Sequence, residues 1–298
     1  MNHRHAMLLA EKAIHDLNQH HFDILNIARP SHLDYAINLG KFIAKLSPLM
    51  STLIEFKVVD SLNNIHDLQP LGTWIRQNPG FPDAIFQGDI TSAPGIEIKT
   101  WFPLATEMTA RFRETQLLFQ DHETSLLIIS WIPEFILWGR PHVLDICMVS
   151  ALTAAQARDS HYFNPPHYLV VEPEDTSCRT SNRQQTNVNG YRLQENRPAR
   201  IQQAEAFIQQ RGASAKTYSP YPAFQQRVIQ PLLSHYRYRL DTNFAKMDRI
   251  GLHEIEQFKT AILNLNYCGK SIQEWSRKLF RLSREEVQYI MNLDNQQP

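Results

Sequence analysis

The stretch from Gly80 to Trp101, GFPDAIFQGDITSAPGIEIKTW, constrains the fold of this chain more than any other. Ala84-Ile85-Phe86 and Ile96 to Trp101 have the apolar, β-branched and aromatic composition of strands. Between them lie Gly88, Asp89, Ser92, Pro94 and Gly95, residue types that turn a chain, so the stretch predicts a β-hairpin. Side chains alternate along a strand. With Ile96 and Ile98 on one face, Glu97 and Lys99 share the other. Asp83 opens the first strand, and pairing of the two strands brings its carboxylate beside that of Glu97. Two acids and a lysine then converge on one small volume.

Two carboxylates a few ångströms apart repel, and the arrangement is tolerated when one is protonated or a hard cation lies between them. Mg²⁺ prefers oxygen ligands and keeps several waters, which leaves positions for a phosphate oxygen and an attacking water. An amine beside that water neutralises charge developing on a phosphorane-like transition state. The chemistry such a trio suits is metal-assisted phosphodiester hydrolysis.

Pro82-Asp83, thirteen residues, then Glu97-Ile98-Lys99 resembles the PD-(D/E)XK nuclease pattern, in the ExK form of the type II restriction endonuclease branch. The resemblance implies an α/β fold: a mixed central β-sheet flanked by helices, followed by a helical C-terminal region. It implies Asp83 and Glu97 as Mg²⁺ ligands and Lys99 as the residue that orients and activates water. It further implies cleavage of double-stranded DNA at a specific, palindromic site by a two-fold homodimer in the bacterial cytoplasm. Nucleases of this kind often take an extra acid from the helix before the hairpin, and Glu55 is the candidate by position. About one Glu/Asp-x-Lys arises by chance in a chain of this length, and Glu55-Phe56-Lys57 is a second instance. No Pro-Asp precedes it at hairpin distance. A repair or junction nuclease on the same core, or a helix-turn-helix DNA-binding protein with an inactive hairpin, remain as alternatives.

Residues 1–172 read as the core. Residues 6–28 and 32–46 have helical periods, through Leu8, Leu9, Ile14 and Leu17, and through Ile37, Phe42, Ile43 and Leu46. Histidines 3, 5, 15, 20 and 21 stand at no recognised ligand spacing and read as exposed helical residues. Ser47 as N-cap and Pro48 at the first helical position start a helix whose apolar stripe is Leu49, Leu53 and Phe56, with Ser51, Thr52 and Glu55 on another face. After Lys99, Pro103 stops the strand and TEMTARFRETQLLF reads as a helix bearing Arg111, Arg113 and Gln116, side chains suited to phosphates and base edges. Ser125 to Ile132 and Val143 to Val149 read as central strands, Ala151 to Arg158 as a helix, and Tyr168 to Glu172 as a strand.

Residues 173–200 turn polar and read as a loop carrying Arg179, Arg183, Arg192, Arg197 and Arg200. Residues 201–298 read as helical: Gln202 to Gln210, Phe224 to Arg239, His253 to Leu265, and then a pattern like a helix-turn-helix. In it Ser271 and Ser283 cap, while Trp275, Leu279, Leu282, Val287 and Ile290 face inward. If this unit meets DNA, Arg281, Arg284 and Gln288 lie nearest the groove. The net charge is zero, yet residues 191–298 hold 16 Lys+Arg against 10 Asp+Glu, a basic surplus that suits phosphate contacts. No run of about eighteen apolar residues predicts a membrane span, and the amphipathic start predicts a soluble, intracellular protein. Cys147, Cys178 and Cys268 have neither zinc-ligand nor disulfide-framework spacing.

Overall fold

The turn residues after Phe86 and the alternation in Ile96 to Trp101 do produce a hairpin, at the centre of a larger sheet. The computed structural model describes residues 2–77, 80–105, 107–108, 110–119, 124–161, 169–172, 191–195, 197–211, 235–240 and 246–293. In it β1 (Gly72–Arg76) pairs antiparallel with β2 (Ala84–Gly88), with Trp74 opposite Phe86 and Arg76 opposite Ala84. β2 then pairs antiparallel with β3 (Gly95–Trp101), with Ala84 opposite Ile96. β4 (Thr124–Pro133) and β5 (Pro141–Ser150) complete a five-stranded mixed sheet in chain order. The chain is therefore α/β, with β3 as the middle strand. Every residue of β3 except Lys99 is buried, as a strand covered on both faces should be.

Two compact units divide the chain. The first comprises Met1–Thr109, Leu126–Val149 and His253–Pro298 and contains the sheet. Its N-terminal helices are α1 (His3–His15), α2 (Leu33–Phe42), which runs on into a 3₁₀ turn Ile43–Leu46, and α3 (Ser47–Asn63). Helix α1 buries Ala6, Ala10 and Ile14 at helical spacing, the two alanines letting it approach α3 closely, and it also buries His3, which was expected to be exposed. The stripe that α3 buries is Met50, Ile54, Val58 and Leu62, each fully inaccessible. This corrects the stripe expected from Leu49, Leu53 and Phe56, since Leu49 and Phe56 are more than half exposed. Apolar residues occur on both sides of this helix, and the sheet selected the other side. Ser47 is not an N-cap either. Leu46 already has helical dihedrals, because the chain arrives from the 3₁₀ turn, and no capping hydrogen bond forms.

The helix expected over residues 6–28 ends at His15. Gln19 adopts a left-handed conformation, and the chain then runs beside β5 and the turn before it. The Phe22 amide donates to the Pro141 carbonyl at 2.8 Å, the Val143 amide to the His20 carbonyl at 2.9 Å, and Ile27 bridges Gly139. Backbone groups on that flank of the sheet need partners, and satisfying them outweighs a continued helical period.

The end of the chain packs within the same unit. Helix α6 (His253–Asn264) leads through a two-residue hairpin, Asn266–Tyr267 with Lys270–Ser271, to α7 (Ile272–Lys278), a 3₁₀ turn Leu279–Arg281 and α8 (Arg284–Met291). The hairpin turn requires Gly269, at φ 78°, where a Cβ would meet Tyr289 Oη at 2.5 Å. Both expected caps form: Ser271 and Ser283 each make a capping box, with Glu274 and Glu286 respectively. Trp275, Leu279, Leu282, Val287 and Ile290 are all buried, as their spacing predicts.

The second unit comprises Ala110–Ser125 and Ser150–Leu252. It holds α4 (Ala151–His161), α5 (Pro198–Arg211) and a separate three-stranded sheet. In that sheet β6 (Leu169–Glu172) runs parallel to β7 (Tyr191–Gln194), and β7 antiparallel to β8 (Tyr238–Leu240). Residues 191–194 are therefore strand and 198–200 the start of α5 rather than loop, while 173–190, including Arg179 and Arg183, and residue 196 lie outside the described residues. Of the helix expected from Phe224 to Arg239, residues 224–234 lie outside them too, and Tyr238–Leu240 is a strand. Among the described residues the helix expected from Thr106 does not form: Gln116–Phe119 makes a 3₁₀ turn, and Arg111 forms a β-bridge with Lys246. The Met247 amide donates to the Ala110 carbonyl at 2.8 Å, a long-range partner for which a local helix gives way. Fully buried Arg158 ties this segment to α4, donating to the Phe112 carbonyl and to Asp159 at 2.9 Å each. Among the described residues no helix is long and apolar enough to cross a membrane.

Candidate active site

Ala84 pairs with Ile96, so one step back along β2 and one forward along β3 set Asp83 opposite Glu97. Two hydrogen bonds fix that juxtaposition. The Asp83 amide donates to Glu97 Oε2 at 3.2 Å, and the Ile98 amide donates to Asp83 Oδ2 at 2.8 Å. Each carboxylate is thus anchored by the backbone of the opposite strand, and its direction is set by the sheet rather than by its own rotamer alone. The Gln77 amide donates to the Asp83 carbonyl at 2.8 Å and holds the segment from the β1 side.

Lys99 completes the cluster. Its ammonium donates to Glu97 Oε1, to Asp83 Oδ2 at 3.5 Å and to the Ile98 carbonyl at 3.3 Å. The three side chains are between 10% and 20% exposed, so the group is sheltered but reachable. Burial opposes the charge on Lys99, but Glu97 and Asp83 outweigh it and hold the pKa above the ordinary lysine value. At neutral pH this residue is an ammonium. It can donate hydrogen bonds and positive charge.

Glu55, on α3, accepts two hydrogen bonds at Oε2 from Arg76, from Nε at 3.2 Å and Nη2 at 2.6 Å. Burial raises its pKa, the Arg76 hydrogen bond lowers it, and the charges of Asp83 and Lys99 also act on it. Glu55 therefore lies within electrostatic reach of the hairpin cluster, with its carboxylate engaged by Arg76. Nothing in the sequence pattern marks Arg76. Its meeting with Glu55 exists only through the packing of α3 on β1, where Arg76 stands opposite Ala84 of β2.

The remaining expected residues belong to other elements. Arg111, Arg113 and Gln116 belong to the second unit, where Gln116 Nε2 donates to Asp159 Oδ2 at 2.7 Å and Arg113 is half-buried. Arg281, Arg284 and Gln288 are exposed on the C-terminal helices. Arg284 pairs with Asp34 of α2 at 3.0 Å, and Gln288 donates to Asn292 at 3.4 Å. Lys278 pairs with Glu286, which lowers the basic character of that face.

Among the described residues no group of three or more His, Cys, Asp or Glu side chains is arranged to hold a metal ion. What the hairpin offers is two carboxylates and one peptide carbonyl, all oxygens, already gathered around a cation in the form of the Lys99 ammonium. That donor set fits a hard, oxygen-seeking ion such as Mg²⁺. Comparison with protein-family models, with curated proteins and with solved structures found no match.

Proposed function

We propose that this chain is a Mg²⁺-dependent nuclease that cuts double-stranded DNA at a specific site, in the manner of the type II restriction branch of the PD-(D/E)XK nucleases. The observation that carries the reading is the trio itself: Asp83 and Glu97 anchored across β2 and β3, with the Lys99 ammonium held over both and over the Ile98 carbonyl. In this reading Asp83 and Glu97 hold the ion. Bound there, a divalent cation supplies Lewis-acid stabilisation of the phosphate and an acidified water. Lys99, already an ammonium, orients the attacking water through its N–H groups and offsets the negative charge that grows on the phosphate oxygens. The Asp83 and Glu97 bonds to backbone amides keep the acids in register for both tasks.

Specificity requires contacts to base edges as well as to phosphates. The capped pair α7 and α8 presents Arg281 and Gln288 to solvent, and these are the residues of that unit proposed to reach DNA. A palindromic target implies a two-fold homodimer with one such site in each subunit, acting in the bacterial cytoplasm. Incubating supercoiled plasmid with the protein and Mg²⁺ tests the reading. Discrete linear fragments are expected. Nicking or structure-selective cleavage transfers the core to a repair or junction nuclease, and retarded but intact DNA transfers the chain to the DNA-binding proteins without catalysis.

A further inference from the structure

The Glu55–Arg76 pair uses only part of its hydrogen-bonding capacity. Arg76 is fixed twice by adjacent residues of one helix: Glu55 takes its Nε and Nη2, and the Phe56 ring lies under the guanidinium carbon at 4.5 Å. A guanidinium clamped at its edge and its face has little freedom left, so it presents its third nitrogen, Nη1, in a set direction. Nη1 takes no partner among the described residues, and neither does Glu55 Oε1. Both side chains are 15% exposed. A strut that merely tied α3 to β1 would be expected to use the second carboxylate oxygen and the parallel fork of the guanidinium.

Charge at the hairpin gives the unspent nitrogen a task. Asp83, Glu97 and Lys99 together carry one net negative charge, which repels a phosphodiester; a divalent cation reverses that to one net positive charge. Glu55, within electrostatic reach of Asp83 and Lys99, would cancel this gain if it stood unpaired. Arg76, bonded to Glu55, removes the cancellation and still has a donor to offer.

We infer that Arg76 is a phosphate-binding residue of this site, gripping a non-bridging oxygen of the DNA backbone through Nη1, and that Glu55 is the positioning residue that aims it. The inference rests on the nuclease reading and adds to it. It assigns Glu55 to the guanidinium instead of to the metal, and it places one backbone phosphate on the β1 side of the hairpin.

The test uses the full chain with Arg76→Gln and Glu55→Gln combined. This double variant leaves the net charge unchanged, keeps a hydrogen-bonding pair at the strut and strands no buried charge. Binding of a fluorescein-labelled duplex in Ca²⁺ is followed against salt concentration, and supercoiled plasmid cleavage is measured in Mg²⁺ with protein in excess. Loss of one phosphate contact should reduce the slope of log affinity against log salt by about 0.9. The single-turnover rate should fall roughly 10- to 100-fold, the scale of one charge-assisted hydrogen bond. Arg76→Lys alone should restore the slope but only part of the rate, because a lysine cannot fork between Glu55 and a phosphate. Glu55→Gln alone should leave the Mg²⁺ for half-maximal cleavage within about twofold, whereas losing a partner of the metal shell shifts it about 10- to 100-fold. A double variant with the parent slope and rate overturns the inference and leaves a strut. A Mg²⁺ shift in Glu55→Gln at the parent salt slope also overturns it and puts Glu55 on the ion. A parent protein that cuts no plasmid in Mg²⁺ or Mn²⁺ removes the nuclease reading itself, a result distinct from either.

Discussion

Replacing Lys99 by Met should separate the two consequences of the ammonium, one for stability and one for chemistry. Met fills much of the same volume, so what is lost is the charge and its three hydrogen bonds, to Glu97 Oε1, Asp83 Oδ2 and the Ile98 carbonyl. Removing one partner of a sheltered ion pair typically costs about 3–5 kcal/mol, because the charges left behind have lost their compensation. Here two carboxylates remain, fixed on each other by the Asp83 and Ile98 amides. For a unit of this size each kcal/mol is worth about 2–4 °C, so the melting temperature should drop by roughly 6–20 °C in the absence of divalent cations. The pKa of Lys99 is raised in the fold, which means that its stabilisation is fully present below the ordinary lysine value and is lost only as pH climbs through the folded value. The gap between parent and variant should therefore stay constant across neutral pH. Ca²⁺ should close part of it, by replacing the missing positive charge without supporting cleavage. The single-turnover rate in saturating Mg²⁺ should fall by about 10²–10³, the worth of one donor to a charge-developing oxygen. A variant that melts with the parent and cuts within a few-fold of its rate would refute the placement of the ammonium over the two acids and its role in the chemistry.

Asp83→Ala should abolish plasmid cleavage while duplex binding in a gel-shift assay persists, since the group acts through the metal rather than on bases; retained cleavage would sink the active-site assignment. Ser283→Ala removes a formed capping box from α8 and should cost about 1 kcal/mol in a denaturant melt; no change would mean that packing of Val287 and Ile290 alone sets the helix start. His142 is pushed down to about 4 by burial and by neighbouring His21, against the pull of Glu134. Its folded pKa lies below the unfolded one, so the unfolded chain binds the extra proton and stability falls as pH drops from about 6.5 toward 4, by roughly 2 kcal/mol at pH 5. His142→Phe keeps the stacking on His21 and Tyr267 and should flatten that acid limb; parallel melting curves for the two proteins would count against it.

The legible parts of the fold are those where local chemistry and tertiary demand agree. Ala84 to Phe86 and Ile96 to Trp101 have strand composition, a turn between them and a buried central position, so pattern and packing specify the same element. Ser271 with Glu274, and Ser283 with Glu286, close hydrogen-bond rings within four residues, which no distant partner can override cheaply. Where the two disagreed, the distant partner won. Leu17 fits a continuing helix, but the backbone of β5 captured the segment that follows; Arg111 fits a helix, but Lys246 paired with it. On α3 both faces are apolar enough to be buried, and only the sheet could choose Met50, Ile54 and Val58 over Leu49 and Phe56.

The same division explains which parts of the candidate site could be read in advance. Asp83, Glu97 and Lys99 lie within one hairpin, so strand alternation and a short turn suffice to bring them together, and the spacing records the geometry. Arg76 and Glu55 are 21 residues apart, on a strand and on a helix, and neither residue type nor spacing marks them as a pair. Their meeting depends on how far α3 is rotated about its axis. A rotation that buried the stripe expected from Leu49, Leu53 and Phe56 would carry Phe56 away from Arg76 and Glu55 out of its reach, since the two residues are neighbours on one turn. Because the buried stripe is instead Met50, Ile54 and Val58, Phe56 keeps one ring face against the guanidinium while remaining more than half exposed. The exposed aromatic that looks like a misplaced core residue is thus the support under an arginine, and the choice of which α3 face packs on the sheet also decides how the charge beside the hairpin is balanced.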